Sequence, residues 1–275
     1  MDKIHIKNLE VFGYHGVLPE ENSLGQKFLI SVTLHVDTRN AGVSDDLSKT
    51  VNYGKVCQFI TRFLNEQTFS LIEAAAEHLS MELLSRFDNV RRVELEISKP
   101  WAPIGLPLDA VSVEIDRGWH RAYVALGSNL GDSMGYIQNG LKGLREITRT
   151  RLLKQSTIIP TKAYGVTEQP DFLNAVVLLE TLLSPMELLR ELNRIEDENG
   201  RTRQIKWGPR TLDLDIVFYD DLVINEEGLV IPHPDMKNRD FVLKPLAELD
   251  PYYLHPVLGK TIKQLLERVN LSVVQ

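Results

Sequence analysis

In LDLDIVF at 212–218, apolar and acidic residues alternate with a period of two, a pattern that an extended strand turns into two chemically different faces. Asp213 and Asp215 then share one face, while Leu212, Leu214 and Ile216 share the other. The apolar face needs a core beneath it, so the segment predicts a sheet strand that holds two carboxylates in one small volume. Carboxylates that close repel each other and lose hydration. They persist most comfortably around a hard divalent cation such as Mg²⁺, which takes oxygen ligands and leaves positions for phosphate oxygens.

The residues before the strand carry the opposite charge. Between Asn199 and Leu212 there is no acidic residue, whereas Arg201, Arg203, Lys206 and Arg210 crowd four cations into a short segment. Gly208 and Pro209 shape it as a loop, and Trp207 offers a flat face for stacking a base or a pterin ring. Together these features point to metal-assisted phosphate chemistry. The same residues also fit a solvated basic loop before an edge strand, because an Asp-x-Asp pair alone is common.

Composition bounds the function classes. With 275 residues, 43% of them hydrophobic and 25% charged, the chain can bury two full cores and reads as an ordinary soluble protein. Its net charge of −7 argues against broad binding to nucleic acid or a membrane surface. No apolar run reaches membrane-spanning length, and MDKIHIKNLEVFGYHG opens directly on a strand pattern, so neither export nor insertion is expected. Cys57 is the single cysteine and lies in an apolar helical pattern, which predicts a buried inert thiol. A reducing, cytoplasmic setting is the default expectation.

Two strand-like runs, VRRVELEIS at 90–98 and AVSVEID at 110–116, lead into Arg117-Gly118, and a fresh strand, HRAYVALGS, starts at 120. This predicts two domains, 1–118 and 119–275, joined by only a few residues. The first reads strand, strand, helix, helix, strand, strand: an antiparallel sheet with two helices on one face. Its second helix has Ser70 followed three residues later by Glu73, the spacing of a capping box. The second domain reads as a mixed α+β sandwich, with a helix near 133–147 and another opened by Ser184, Pro185 and Glu187. Residues 239–270 read as helices broken by DPYYLHP. Gly259-Lys260-Thr261 resembles the end of a phosphate-binding loop, but Leu254 stands where that loop needs its first glycine.

Five ordered blocks, ALGSNLGD at 125–132, EQPDFLNAVV at 168–177, RIEDENGRTR at 194–203, KWGPRTLDLDIVF at 206–218 and VIPHPDMKNRDFVLKPL at 230–246, resemble 6-hydroxymethyl-7,8-dihydropterin pyrophosphokinase. The resemblance covers essentially all of 120–270. It implies a ferredoxin-like fold that moves the terminal pyrophosphate of ATP onto the pterin hydroxymethyl group with two Mg²⁺ ions. Asp213 and Asp215 would hold the metal, and Arg201, Arg203, Trp207 and Arg210 would surround the polyphosphate. Asn174 would read the pterin edge between the rings of Phe172 and Phe241, and Thr161 would belong to the pterin loop. Glu196, His233 and Arg239 match nucleotide-contacting positions. The chain departs from many relatives in carrying Lys162 rather than proline after that threonine.

The blocks GYHGVLPEENSLGQ at 13–26, TVNYG at 50–54, SLIEAAAEHL at 70–79 and ELEISKPWAPI at 94–104 resemble 7,8-dihydroneopterin aldolase across 1–118. That family implies a T-fold of the tetrahydrobiopterin-biosynthesis type, an antiparallel sheet plus two helices that oligomerises into a barrel. It implies metal-free cleavage of the pterin side chain to glycolaldehyde and 6-hydroxymethyl-7,8-dihydropterin. Lys99 and Tyr53 would handle protons, Glu21 would stand at the side-chain end of the site, and Glu73 with the backbone near Ile72 would hold the ring edge. Helix spacing alone makes Glu73 a cap; the resemblance makes it a ligand. His15, between Tyr14 and Gly16, reads as a turn residue that lies near the pocket. The combined expectation is a bifunctional homo-oligomer that uses pterins and ATP. Its rivals are an active pyrophosphokinase carrying an inactive N-terminal oligomerisation domain, and a binding module without catalysis.

Overall fold

The computed structural model describes residues 1–162, 170–200 and 210–273. Contacts divide the chain into two compact units, Met1–Trp119 and His120–Gln275. Among the described residues no helix is long and apolar enough to cross a membrane.

The first unit opens with β1 (Asp2–Gly13), a short α1 (Pro19–Leu24) and β2 (Gln26–Val36). Then come α2 (Arg39–Ser44), α3 (Tyr53–Glu66) and α4 (Ile72–Arg86), followed by β3 (Arg92–Lys99) and β4 (Val111–Gly118). The strands pair antiparallel in the order β1-β2-β3-β4. Strict alternation on β2 buries Phe28, Ile30, Val32 and Leu34, and β3 adds Val93, Leu95 and Ile97. Against them α3 turns Val56, Ile60 and Leu64, and α4 turns Leu79 and Leu83. The opposite sheet face is polar. The unit therefore has the sheet and the two long helices of the T-fold, and its sheet is open, with β1 and β4 as free edges.

Two details differ from the sequence expectation. Helix α4 is capped at Leu71 without any side-chain hydrogen bond, so Ser70 and Glu73 form no capping box: the helix starts one residue later than that spacing requires. Cys57 is half-buried on α3 rather than enclosed, although desolvation still pushes its thiol pKa up.

The second unit runs β5 (His120–Ser128), α5 (Ser133–Glu146), β6 (Thr150–Gln155), β7 (Ile159–Thr161), β8 (Phe172–Thr181) and α6 (Pro185–Glu198). It continues through β9 (Asp213–Tyr219), the hairpin β10 (Ile224–Glu226) and β11 (Leu229–Ile231), α7 (Asp240–Leu249) and α8 (Ile262–Val273). The main sheet has the antiparallel order β6-β8-β5-β9, with β7 also on β8. With α5 after the first strand and α6 after the third, this is a ferredoxin-like βαββαβ core. The capping box expected at Ser184 and Glu187 forms: Ser184 N–H donates to Glu187 Oε2 at 2.8 Å.

This sheet is covered unequally. On one face Ile137, Leu144, Leu188, Leu192 and Ile195 of α5 and α6 pack on Val124, Leu126, Leu214 and Ile216. On the other, Val242, Leu243, Leu246 and Leu265 of α7 and α8 pack on Tyr123, Val176, Leu178 and Val217. A bulge in β9 between the partners of Val124 and Tyr123 lets Val217 and Phe218 both enter that second core. Beyond Tyr123 and Val176 the same face carries Gly127, Asn174, Asp213 and Asp215, and there it opens into a cleft.

Candidate active sites

The cleft crosses four strands. Thr161 on β7 is paired with Phe172 on β8, Asn174 with Gly127 on β5, and Gly127 and Ala125 with Asp213 and Asp215 on β9. Three inter-strand steps make a floor about 14 Å wide. Its centre is bare backbone, because a Cβ on Gly127 would stand 3.2 Å from Asn174 Oδ1. The apolar walls, Phe172, Phe241 and Val242, lie with Thr161, Lys162, Arg210 and Arg239 around this floor. Asn174 Nδ2 donates to Thr161 Oγ1 at 2.6 Å, which fixes the amide.

At the carboxylate end, strand alternation puts Asp213 and Asp215 on the cleft face and Leu212, Leu214 and Ile216 in the core beneath, as the sequence period requires. Desolvation, and then the neighbouring Asp213 carboxylate, push the Asp215 pKa up against the pull of Arg210. Arg210 Nη1 donates to Asp213 Oδ2. The arginine is held from behind: its N–H donates to Asn129 Oδ1 at 2.9 Å, and Asn129 N–H returns a bond to the Arg210 carbonyl at 3.1 Å. Asn129 lies in the ALGSNLGD block, but nothing in its local spacing points to this cross-chain role.

His233 Nε2 is 4.0 Å from Asp215 Oδ2. Its Nδ1 accepts the Asp235 N–H at 3.3 Å, which leaves the proton on Nε2, toward the carboxylate. Burial first, and Arg239 second, hold this imidazole at a pKa of about 4. The Arg239 guanidinium donates to Asp235 Oδ2 at 3.1 Å and lies 5.7 Å from the Phe241 ring centroid. Glu196 is not in the lining: it is 2% exposed, and its Oε1 accepts the Leu214 N–H at 2.6 Å, gripping β9 between the two aspartates. Arg201, Arg203 and Trp207 lie outside the described residues.

The first unit gathers a second group. Glu21 and Lys99 are both buried, and Lys99 Nζ donates to Glu21 Oε1. Gln26 Nε2 donates to the same oxygen at 3.0 Å, and Leu18 N–H donates to Glu21 Oε2 at 3.1 Å. Glu21 is thus the glutamate that caps a helix start, α1, the role that spacing suggests for Glu73. Burial disfavours its charge, but bonds from Lys99, Leu18 and Gln26 outweigh that and hold the carboxyl below its ordinary range. Gln26 closes the block at 13–26, but it does not titrate and no spacing points from it to Glu21. Tyr53, directly after the Asn52 cap of α3, is 63% exposed, and Glu73 is also exposed. Neither makes a hydrogen bond to the Glu21–Lys99 pair among the described residues. Ile72 is buried under the start of α4.

Residues 123–251 match the family model for 7,8-dihydro-6-hydroxymethylpterin-pyrophosphokinase, and residues 4–116 match the model for dihydroneopterin aldolase. A 2-amino-4-hydroxy-6-hydroxymethyldihydropteridine pyrophosphokinase of Haemophilus influenzae is 44% identical over 52% of this chain and 91% of its own length. The chain belongs to both families. Single matches also run across both units: the folic acid synthesis protein fol1 of Pneumocystis carinii is 34% identical over 98% of this chain. The chain spans 38% of that protein's length. The crystal structure of Escherichia coli dihydroneopterin aldolase in complex with neopterin superposes with a TM-score of 0.40, at 31% identity over 43% of this chain and 100% of that one.

Proposed function

We propose that the chain carries out two consecutive steps, cleavage of 7,8-dihydroneopterin by residues 1–118 and transfer of pyrophosphate from ATP to the resulting 6-hydroxymethyl-7,8-dihydropterin by residues 119–275. The observation that carries this is the four-strand cleft, with a fixed amide between aromatic walls at one end and two carboxylates with an arginine at the other. A planar heterocycle suits the first end and a phosphate chain the second.

The carboxylate end fits Mg²⁺. Among the described residues no group of three or more His, Cys, Asp or Glu side chains is arranged to hold a metal, which argues against a closed protein cage. Magnesium more often takes one or two carboxylates and completes its shell with water and substrate phosphates. Asp213 and Asp215 are such a pair, and a cationic group, Arg210, already lies against one of them. Asp213 and Asp215 would hold the ion, and the chemistry it would supply is neutralisation of charge on the phosphates during transfer. Arg210 supplies a forked donor for the phosphates, joined by Arg201 and Arg203, while Trp207 closes over them. The His233 ring stands with Nε2 4.0 Å from the Asp215 carboxylate, outside direct hydrogen-bond reach. Asn174 reads the pterin edge, Phe172 and Phe241 stack on the ring, and Thr161 fixes the amide. Arg239 and Glu196 support the nucleotide end, Glu196 through the backbone of β9.

Cleavage needs a base for the side-chain hydroxyl and a proton for the carbon left behind, with the conjugated ring as electron sink. Lys99 is enclosed beside Glu21, whose three donors keep it ionised and orient the ammonium. Lys99 and Tyr53 are the proton-handling groups, and Glu73 binds the ring. Tyr53 is exposed in one chain because its site belongs to a second copy. Free edges on β1 and β4 support this, since open edges are a liability unless paired. Lys7 on β1 and Glu114 on β4 carry opposite charges at the two edges, while Lys3 and Asp116 are already paired with Glu94 and Arg92. Val17, Leu24, Trp101 and Leu106 add exposed apolar surface.

The test is one purified chain given dihydroneopterin, ATP and Mg²⁺. Glycolaldehyde and AMP should both form, and EDTA should stop only AMP. Transfer without cleavage would leave the first unit an oligomerisation domain, and neither product would refute the reading.

A further inference from the structure

We propose that His15 is a positioning residue for the cleavage reaction, clamping the turn beside the Glu21–Lys99 pair to the segment that starts α4 and presents Glu73. The inference rests on the aldolase reading of the first unit.

His15 is 1% exposed, and its enclosed Nε2 has no hydrogen-bond partner among the described residues, so Nδ1 is the ring atom through which the burial gains a bond. Its Nδ1 accepts the Phe69 N–H at 3.2 Å, and the next residue, Gly16, donates its N–H to the Phe69 carbonyl at 2.9 Å. Both backbone polar groups of Phe69 are therefore taken by residues 15 and 16. The Phe69 ring is held as well: its centroid is 5.7 Å from His15, 5.4 Å from His78 of α4 and 6.0 Å from Phe63 of α3. Two residues beyond Phe69 is the α4 cap, Leu71, and then come Ile72 and Glu73.

The other side of the clamp reaches the proton-handling pair. Asn22 Nδ2 of α1 donates to the carbonyls of Tyr14 and Gly16 at 3.1 and 2.9 Å. Gly16 lies so close to Glu21 that a Cβ there would come within 2.2 Å of Oε2, and its φ of 151° also favours glycine. The turn 14–16 thus links Glu21 to Phe69, and only three residues separate Phe69 from Glu73. Nothing in a single helix or strand fixes that relation; the imidazole acceptor does so together with the Gly16 N–H bond to the Phe69 carbonyl.

The acceptor role also excludes a proton-shuttle role while the clamp is closed. A protonated Nδ1 would face the Phe69 N–H as a second donor. Burial and the nearby Lys99 charge both lower the His15 pKa, which keeps the acceptor bare.

The full chain with His15→Asn and with His15→Leu separates the possibilities. Asparagine keeps an acceptor near the Nδ1 position; leucine fills space without one. His15→Leu should raise KM for dihydroneopterin roughly tenfold, with kcat much less affected, while His15→Asn stays within about threefold of the parent in both. Pyrophosphate transfer should be unchanged in both variants. Parent KM in His15→Leu, a fall in kcat alone, or equal damage from both substitutions would overturn the clamp. If His15→Leu does not fold, His15→Asn decides: parent KM supports the clamp and a raised KM overturns it. Absence of cleavage in the parent is a separate result, which refutes the aldolase reading and the inference with it.

Discussion

Lys99→Met tests the buried pair of the first unit, because it removes the charge while keeping most of the volume. The two side chains are 11% and 6% exposed, so water cannot replace the lost ammonium at Glu21. Breaking a buried ion pair from one side costs about 3–5 kcal/mol, as it strands the remaining charge. Gln26 and Leu18 still donate to Glu21, which places the expected loss nearer about 3 kcal/mol. The pH dependence follows from the sign of the Glu21 shift. In the parent this carboxyl is held below its ordinary range, so its contribution is present above the unfolded carboxylate pKa and is lost as pH falls through the lower folded value. Without Lys99 the buried carboxyl moves upward instead, so the deficit against the parent should be greatest near neutral pH and shrink on acidification. Hydrogen exchange of the β2 amides at Phe28, Ile30 and Val32 reports this unit alone, at fixed protein concentration. The double substitution Glu21→Gln with Lys99→Met should recover most of the stability, because no charge is left buried. Cleavage should fall by about two orders of magnitude in both, since the proton-transfer group is absent. Parent-like protection and parent-like cleavage in Lys99→Met would refute the reasoning.

Asp213→Ala or Asp215→Ala should each abolish pyrophosphate transfer and leave dihydroneopterin cleavage near the parent rate, measured as AMP and glycolaldehyde on the same sample; parent-like transfer in both would remove the metal assignment. Tyr53→Phe and Lys99→Ala chains, each impaired alone, should regain some cleavage when dissociated and reassembled together, because mixed assemblies contain sites with both groups intact. If mass measurement shows mixed assemblies and no activity returns, the shared site is wrong.

The readable parts of this chain were those with a period. Alternation over 212–218 put both aspartates on one face and three aliphatic residues beneath them, and the Ser184-Pro185-Glu187 start of α6 was visible because a cap is local. Ser70 and Glu73 show the limit of the same rule: the spacing was present, but the helix begins after Leu71, so the carboxylate is left free for another role. Meanwhile Glu21, three residues after Leu18 in a six-residue helix with no period, does the capping that spacing assigned elsewhere. Its partner Lys99 is 78 positions away. No local pattern joins them; only the family resemblance did.

The same distinction explains why the partners of the supporting residues are not legible in the sequence. Asn129 and Gln26 bind the backbone or carboxylate of a residue that performs the chemistry, His15 binds the backbone of Phe69 four positions before Glu73, and a supporting residue has no spacing of its own to obey. Asn129 holds the Arg210 backbone across 81 positions by one side-chain and one backbone bond, so loss of the side chain should displace the cation from Asp213 without altering any charge. Glu196 is the sharpest case, because a buried carboxylate gripping the Leu214 N–H sets the pitch of β9 between Asp213 and Asp215. A carboxylate at that point acts on a ligand through the strand. Its sequence block marked the residue, and only the fold shows which atom it holds.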